Sequence, residues 1–584
     1  MFVKTSTRRN RNGTTTRYLQ LAHNEWDPVA KTSRTKVVYS FGRAEEVDRA
    51  AIERLITALM RVLGTQPAAE EGPARVEASG VPGLEYLASR PVGGAWVLEG
   101  IWHQLGIDAL LRKLAAKTRR DPIVERVLFA LVANRALAPS SKLAATSWVA
   151  HDVHVCGLET VTDDACYRAM DWLLAVEDKV ARGVYDAVAD LLNLHVDLIF
   201  FDTTSTYFET AEEDEPLWRD AAGRVVEGDP DADRPDKAVD QGGFRTWGKS
   251  KDSRDDLPQV IVGMAVTREG IPVRVWSWPG NTGDSPLIRQ VKNDMRHWSL
   301  GKVIWVADRG FTSAANRKHL ASGGSGYILG EKLRSGSPEA TAALSRQGRY
   351  TDIDQNLRVK EVKVSATERF VICHNPEAAL RDEAIRTRML TRLEEAIRGS
   401  DDLPPDQRAE LRGVISTKPG MSRYLRVTPG GLLRVDKKKI AVEANLDGKY
   451  LLRTSDPTLT STDIALGYKQ LLEVERGWRD MKSVLDLRPV YHRLEDRIRA
   501  HVLLCWLALL LARIVETRTG ATWTTSRAEL QRLHVGTFTG PAGTFRQTTT
   551  PTPATRRLHE ALGLKLPPRI WHLDPEPAPS PTPR

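Results

Sequence analysis

The chain has 584 residues, 41% hydrophobic and 27% charged, with a formal net charge of +9 and a pI near 9.2. That length exceeds a single core and predicts about three to five folding units, while the basic balance favours a polyanionic partner. The cysteines Cys156, Cys166, Cys373 and Cys505 are scattered, which argues against structural zinc and a disulfide framework.

Residues 1–83 read as a basic β-rich module followed by a linker. Nine Lys/Arg fall within residues 1–43 against Glu25 and Asp27, and no apolar leader segment is present, which predicts a cytoplasmic protein. Apolar spacing predicts a helix over 45–63, then a Gly/Pro/Glu-rich linker over 64–83. Residues 84–195 read as a helical region, with Trp96, Trp102 and Trp148 as core aromatics.

The pattern then changes. Residues 196–201 predict a short buried strand, and 209–240 an acidic, solvated loop. Strands follow over 259–266 and 271–278, joined by a turn at 267–270. Next come a helix over 285–298, a strand over 303–307, a helix over 309–321 and a strand over 326–330. This order predicts an α/β fold, a mixed sheet flanked by helices, with 196–332 as its first part.

Residues 333–445 read as a β-rich insertion domain, with strands at 357–364, 370–373, 432–435 and 440–442 around a helix at 377–398. Residues 446–517 return to the core. They hold a strand at 450–453, a helix capped by Thr462 or Asp463 and running to about Leu485, and a helix over 494–517. The apolar run 502–512 is too short to span a bilayer. Residues 518–584 form a C-terminal segment whose Pro-rich end, after Pro567, predicts disorder.

Three carboxylates stand out. Asp202 and Asp308 each end an apolar strand, where an open α/β sheet places its ligands. A lone Asp there is commonly a turn former or helix cap; two in one sheet suggest a shared site. Glu475 lies on a helix, where Tyr468, Leu471, Glu475, Trp478 and Lys482 fall on one stripe. Gly243–Ser250 also matches the phosphate-loop pattern G-x4-G-K-[S/T]. A phosphate loop needs a strand before it and a helix after it, and neither is evident. No nucleotide cofactor is expected.

These residues resemble the DDE (Asp-Asp-Glu) transposases of bacterial insertion sequences. Within them the chain resembles the insertion-sequence-four superfamily and its "sixteen-thirty-four" group. The superfamily signature Tyr-x2-Arg-x3-Glu-x6-Lys maps onto Tyr468, Leu471, Glu475 and Lys482, with Leu471 in place of the Arg. Phe201-Asp202-Thr203-Thr204, the stretches 248–259 and 279–284, Ala307-Asp308-Arg309-Gly310 and 487–492 resemble the group as well.

The resemblance implies an RNase H-like core and a β-rich insertion before the Glu helix. It implies that Asp202, Asp308 and Glu475 hold two Mg2+ ions, which Mn2+ replaces, and that the reaction is in-line phosphoryl transfer on DNA. Tyr468, Lys482, Arg479, Arg309, Lys249 and Lys251 would contact DNA. Double-stranded DNA, both transposon inverted repeats and target, is the implied partner, held by a homodimer in a synaptic complex at the nucleoid. A transposase-derived DNA-binding protein without activity is the alternative.

Overall fold

The computed structural model describes residues 2–9, 15–27, 32–43 and 84–574, apart from 193–196, 230, 232, 297, 299–301, 335, 365–368 and 541–542. It divides into Met1–Leu84 and Glu85–Arg584. In the first unit, β1 (Phe2–Arg9), β2 (Thr15–Asp27) and β3 (Thr32–Arg43) form an antiparallel sheet in chain order. The helix expected over 45–63 and the linker after it lie outside the described residues.

In the second unit, β4 (Glu85–Pro91) precedes six α-helices between Gly93 and Leu192. Then come β5 (Leu198–Tyr207), the short pair β6 (Leu217–Arg219) and β7 (Asp240–Gly242), the hairpin β8 (Gln259–Val266) and β9 (Pro272–Pro279), β10 (Ile304–Ala307) and β11 (Gly326–Glu331). Next are β12 (Thr351–Asp354), β13 (Leu357–Lys363), β14 (Arg369–His374), the pair β15 (Leu425–Val427) and β16 (Leu433–Val435), and β17 (Lys449–Thr454). One nine-stranded mixed sheet takes the order β12-β13-β14-β17-β11-β10-β5-β8-β9. Strand β10 is parallel to both β5 and β11. Its crossovers carry the helices Asp284–Asp294 and Ala314–Leu320, as parallel pairing requires. Every residue of β8 and β9 is buried, which is why their sequences are apolar almost throughout.

The helix Glu495–Thr519 is long and apolar enough to cross a membrane by composition alone, yet 94% of its apolar window is buried inside this unit. It packs on β9 and on the helices Ile123–Leu137 and Asp163–Ala175, and Trp506 Nε1 donates to the Pro272 carbonyl at 2.9 Å. The helices of 93–192 thus share one apolar core with the sheet.

Four expectations need correction. Strand β5 does not stop at Phe201 but runs to Tyr207, because β8 pairs with it as far as Tyr207 opposite Gln259. Residues 333–445 do not make a separate β domain: β12, β13 and β14 extend the main sheet, and the remainder is mostly helical. Residues 440–442 lie in a helix, Lys437–Ala444, whose N-cap Asp436 accepts from Lys439 N. The C-terminal segment is folded to Asp574. Its β18 (His534–Gly540), β19 (Gly543–Thr548) and β20 (Ile570–Asp574) form a sheet with β4, in the order β20-β19-β18-β4.

Gly263 of β8 marks how closely the layers approach. A Cβ there would lie 2.6 Å from the Trp278 ring and 3.0 Å from Phe201. Gly263→Val is expected to cost about 1–3 kcal/mol of stability through overpacking, read as a lowered midpoint in denaturant unfolding.

Candidate active site

The parallel register of β5 and β10 sets the site. Leu198 faces Ile304, Ile199 faces Trp305 and Phe200 faces Val306. Carried on by two residues, that register brings Asp308 beside Asp202, across a strand spacing of about 4.8 Å. Here β10 ends and the chain turns: Asp308 caps the turn Arg309–Phe311, its Oδ1 accepting from Gly310 N at 2.7 Å. Asp202 is within its strand rather than at the end. It stays in the ladder, paired with Met264, because the antiparallel neighbour continues after the parallel one stops.

Asp202 is half-buried. Burial pushes its carboxyl up to about 7, and the carboxylates of Asp308 and Asp284 push the same way, while Lys251 and the Thr203 backbone oppose them. Strand alternation puts Asp202 and Thr204 on one face and Thr203 and Ser205 on the other. The face of Thr204 meets the Glu475 helix, since Lys482 Nζ donates to Thr204 Oγ1 at 2.7 Å.

The helix expected over 462–485 is two helices, Ser461–Lys469 and Leu472–Ser483. Between them the ladder tightens to i→i−3 bonds, Glu473 N to the Gln470 carbonyl at 2.9 Å and Val474 N to the Leu471 carbonyl at 3.1 Å. The first helix is capped by Thr460, with Asp463 closing a capping box, rather than by Thr462 or Asp463 as N-cap. Tyr468 therefore ends one helix and Glu475 sits in the first turn of the next.

Both residues line a cleft of about 870 Å³ with Asp308, Arg309 and Lys332. Tyr468 stacks on Tyr450, ring centroids 6.0 Å apart, and its hydroxyl is held well above the usual tyrosine range by burial and then by the Asp308 carboxylate. Asp202 is not among the residues lining that cleft. Among the described residues no three His, Cys, Asp or Glu side chains form one metal-ligand set. Asp202 and Asp308 are brought together; Glu475 shares the cleft with Asp308 but does not close a triad.

The expected DNA contacts divide into two groups. Lys249, Arg309 and Arg479 are exposed. Lys251, although exposed, and Lys482, half-buried, are both engaged by groups of the protein itself. Lys251 Nζ reaches the Thr203 carbonyl at 2.8 Å, Thr203 Oγ1, and Asp284 at 3.0 Å. Lys482 Nζ pairs with Asp252 at 3.0 Å, and Arg488 donates to the same carboxylate at 2.9 Å. Burial pushes the Lys482 ammonium down, against Asp252, which holds it up.

Sequence reasoning missed Asp252 and Asp284 as members of this site. Asp284 accepts from Thr203 Oγ1 at 2.8 Å. The signal was its place at the end of the 279–284 turn, between β9 and the helix it opens. The phosphate-loop pattern has a different physical cause. Strand β8 follows it at Gln259, with no helix between. A Cβ at Gly243 would meet the Asp214 carbonyl at 2.3 Å, and one at Gly248 the Gly280 carbonyl at 2.1 Å, so close backbone approach requires both glycines.

The raised Asp202 carboxyl has a stability consequence. Folded, Asp202 keeps its proton up to about pH 7; unfolded, it releases it near its ordinary value of 3.8. The folded state binds more protons between those values, so stability falls as pH rises through them. Without divalent cations, Asp202→Asn is expected to exceed wild type in stability near pH 8, by at most about 4 kcal/mol. That advantage should vanish near pH 4 in a series of thermal melts.

Two family models match the chain. Residues 3–71 match "IS1634 family transposase, N-terminal domain", and residues 232–511 match "Transposase DDE domain". The second match contains Asp308 and Glu475 and begins after Asp202. No curated protein matches. Among solved structures, the "Cryo-EM structure of piggyBac transposase synaptic complex with hairpin DNA" is similar at a TM-score of 0.32 and 11% identity, over 80% of this chain and 78% of that chain; a likeness that loose carries no argument here. Together the two family matches cover more than half of the sequence, the second holding Tyr468, Glu475 and Lys482, and the chain belongs to the IS1634 family of DDE transposases.

Proposed function

We propose that the chain cuts DNA at transposon ends and joins those ends to target DNA, with Asp202, Asp308 and Glu475 as its catalytic carboxylates. The observation that carries this reading is the parallel register that sets Asp308 beside Asp202, with Glu475 on the same cleft as Asp308. The order β9-β8-β5-β10-β11 supports an RNase H-like core, with 333–445 inserted before the Glu475 helix.

The residues suit divalent cations. Asp202 and Asp308 crowd two carboxylates together, and among the described residues no side chain donates a hydrogen bond to either; Glu475 would complete the set from across the cleft. Two Mg2+ ions, or Mn2+ in their place, supply when bound the charge that in-line phosphoryl transfer requires at its attacking and leaving oxygens. The chain's own residues do the positioning. Thr203, Lys251 and Asp284 brace the strand beside Asp202. Lys482, Asp252 and Arg488 tie the Glu475 helix to β5. Arg309, Lys249 and Arg479 grip phosphates from exposed positions, and Tyr468 fixes the cleft wall beside Asp308. The working form is a homodimer in a synaptic complex on double-stranded DNA at the bacterial nucleoid.

The test is cleavage of DNA carrying the ends that flank the coding region, in Mg2+, by wild type and by Asp202→Asn, Asp308→Asn and Glu475→Gln. Each substitution is expected to lower the rate by about 10²-fold to 10³-fold or more, the scale of a lost electrostatic stabiliser, while DNA binding persists. Variants that cut as fast as wild type overturn the assignment. A wild type that binds these ends and never cuts them identifies a transposase-derived binding protein.

A further inference from the structure

A second pocket, of about 490 Å³, lies between the helical region and the segment that follows the Glu475 helix. Its wall holds Arg135, Lys142, His492 and His501, with Asp486 and Tyr491 also lining it. Lys142 is 4% exposed, Arg135 4% and His501 3%. Among the described residues Lys142 Nζ makes no hydrogen bond or ion pair, and no carboxylate pairs with any of these four groups.

Arg135 spends its terminal nitrogens on carbonyls, those of Asp486 at 3.0 Å, Leu485 at 3.4 Å and Ser140. Its Nε and His501 Nδ1, deeper in the wall, have no partner. Burial and the Arg135 cation together push the Lys142 amine down to about 7. A buried ammonium beside a buried guanidinium is costly unless an anion joins them.

The rim favours a nucleotide chain over a bare anion. Tyr491 is 73% exposed, and the ring of His492 lies edge-on to Tyr167 at 6.0 Å. Rings beside a cation are how proteins hold a nucleic-acid strand, base or sugar on the ring and phosphate on the charge. The segment lining the pocket also carries Arg488, which pairs with Asp252, the same carboxylate that holds Lys482.

We infer that this pocket is a phosphate site, in which Lys142 contacts one phosphodiester group of bound DNA and Arg135 supports it with positive potential. The inference rests on the DNA-processing reading for its source of phosphate. The site itself rests on the unpartnered Lys142.

The test uses the full chain, with inorganic phosphate and a random-sequence duplex as probes. Phosphate should raise the wild-type melting temperature above that in chloride of equal ionic strength. Lys142→Met should lose that shift and melt no lower than wild type without phosphate, because a buried charge has been removed; Lys142→Arg should keep the shift. Lys142→Met should also bind the duplex about tenfold more weakly, with the salt dependence reduced by about one phosphate contact.

No phosphate shift in wild type overturns the site. A shift abolished by Lys142→Met with unchanged duplex binding overturns the DNA assignment in favour of a free phosphate compound. The phosphate shift is read without DNA, divalent cation or cleavage, so loss of the cleavage reading and loss of this one are separable.

Discussion

The parallel alignment of β5 with β10 is the constraint on which the rest of the molecule depends. Strand side chains alternate with a period of two, so a slip of one residue would send Asp202 to the opposite face. The alignment is fixed by burial. Leu198, Ile199, Phe200 and Phe201 on one strand, and Ile304, Trp305, Val306 and Ala307 on the other, all lie in the core. The hairpin β8–β9 holds β5 from its other side, and the helix Glu495–Thr519 holds the hairpin. Much of the sheet and its helical cover thus serve to keep one pair of carboxylates in register.

That pair is electrostatically expensive, and its surroundings moderate the cost without removing it. Lys251 sits among Asp202, Thr203 and Asp284, offsetting part of the crowding. A second cluster, in which Lys482 and Arg488 share the single carboxylate of Asp252, lies at the junction of β5 and the Glu475 helix. Sites that retain unfavourable proximity of like charges are those where function supplies the missing countercharge. Under the proposed function, divalent cations would supply that countercharge to the carboxylates.

Much of this was legible in the sequence because strong local signals coincide with the fold. The β8–β9 hairpin, the strands ending near Ala307 and Gly330, and the long apolar helix after Leu494 announce themselves through composition and turns. The end of β5 did not, because Thr203, Thr204, Ser205 and Thr206 look like solvated hydroxyls. They are buried ladder residues, and only an antiparallel partner some sixty residues away makes them so. The break at Gln470–Leu471 is invisible to periodicity, because the tightened turn keeps both residues in the helical region. Pairing of β4 with β18 joins residues far apart in the chain, and no local pattern encodes such a pairing. For the site, Asp202, Asp308 and Glu475 could be named from pattern and resemblance. Asp252 could not, and Asp284 was marked only by its place at the end of a turn, since the importance of both lies in which cations they meet.

The most direct test of the carboxylate pair is divalent-cation binding coupled to proton release. Mn2+ would be titrated into the full chain with DNA present, near pH 7, with binding followed by electron paramagnetic resonance and released protons by a pH indicator. With its carboxyl near 7, Asp202 should release about half a proton as the cation binds. Asp202→Asn should abolish that release and weaken binding. Binding of equal strength, with the same proton release, in wild type and in Asp202→Asn would contradict a cation site built on Asp202 and Asp308.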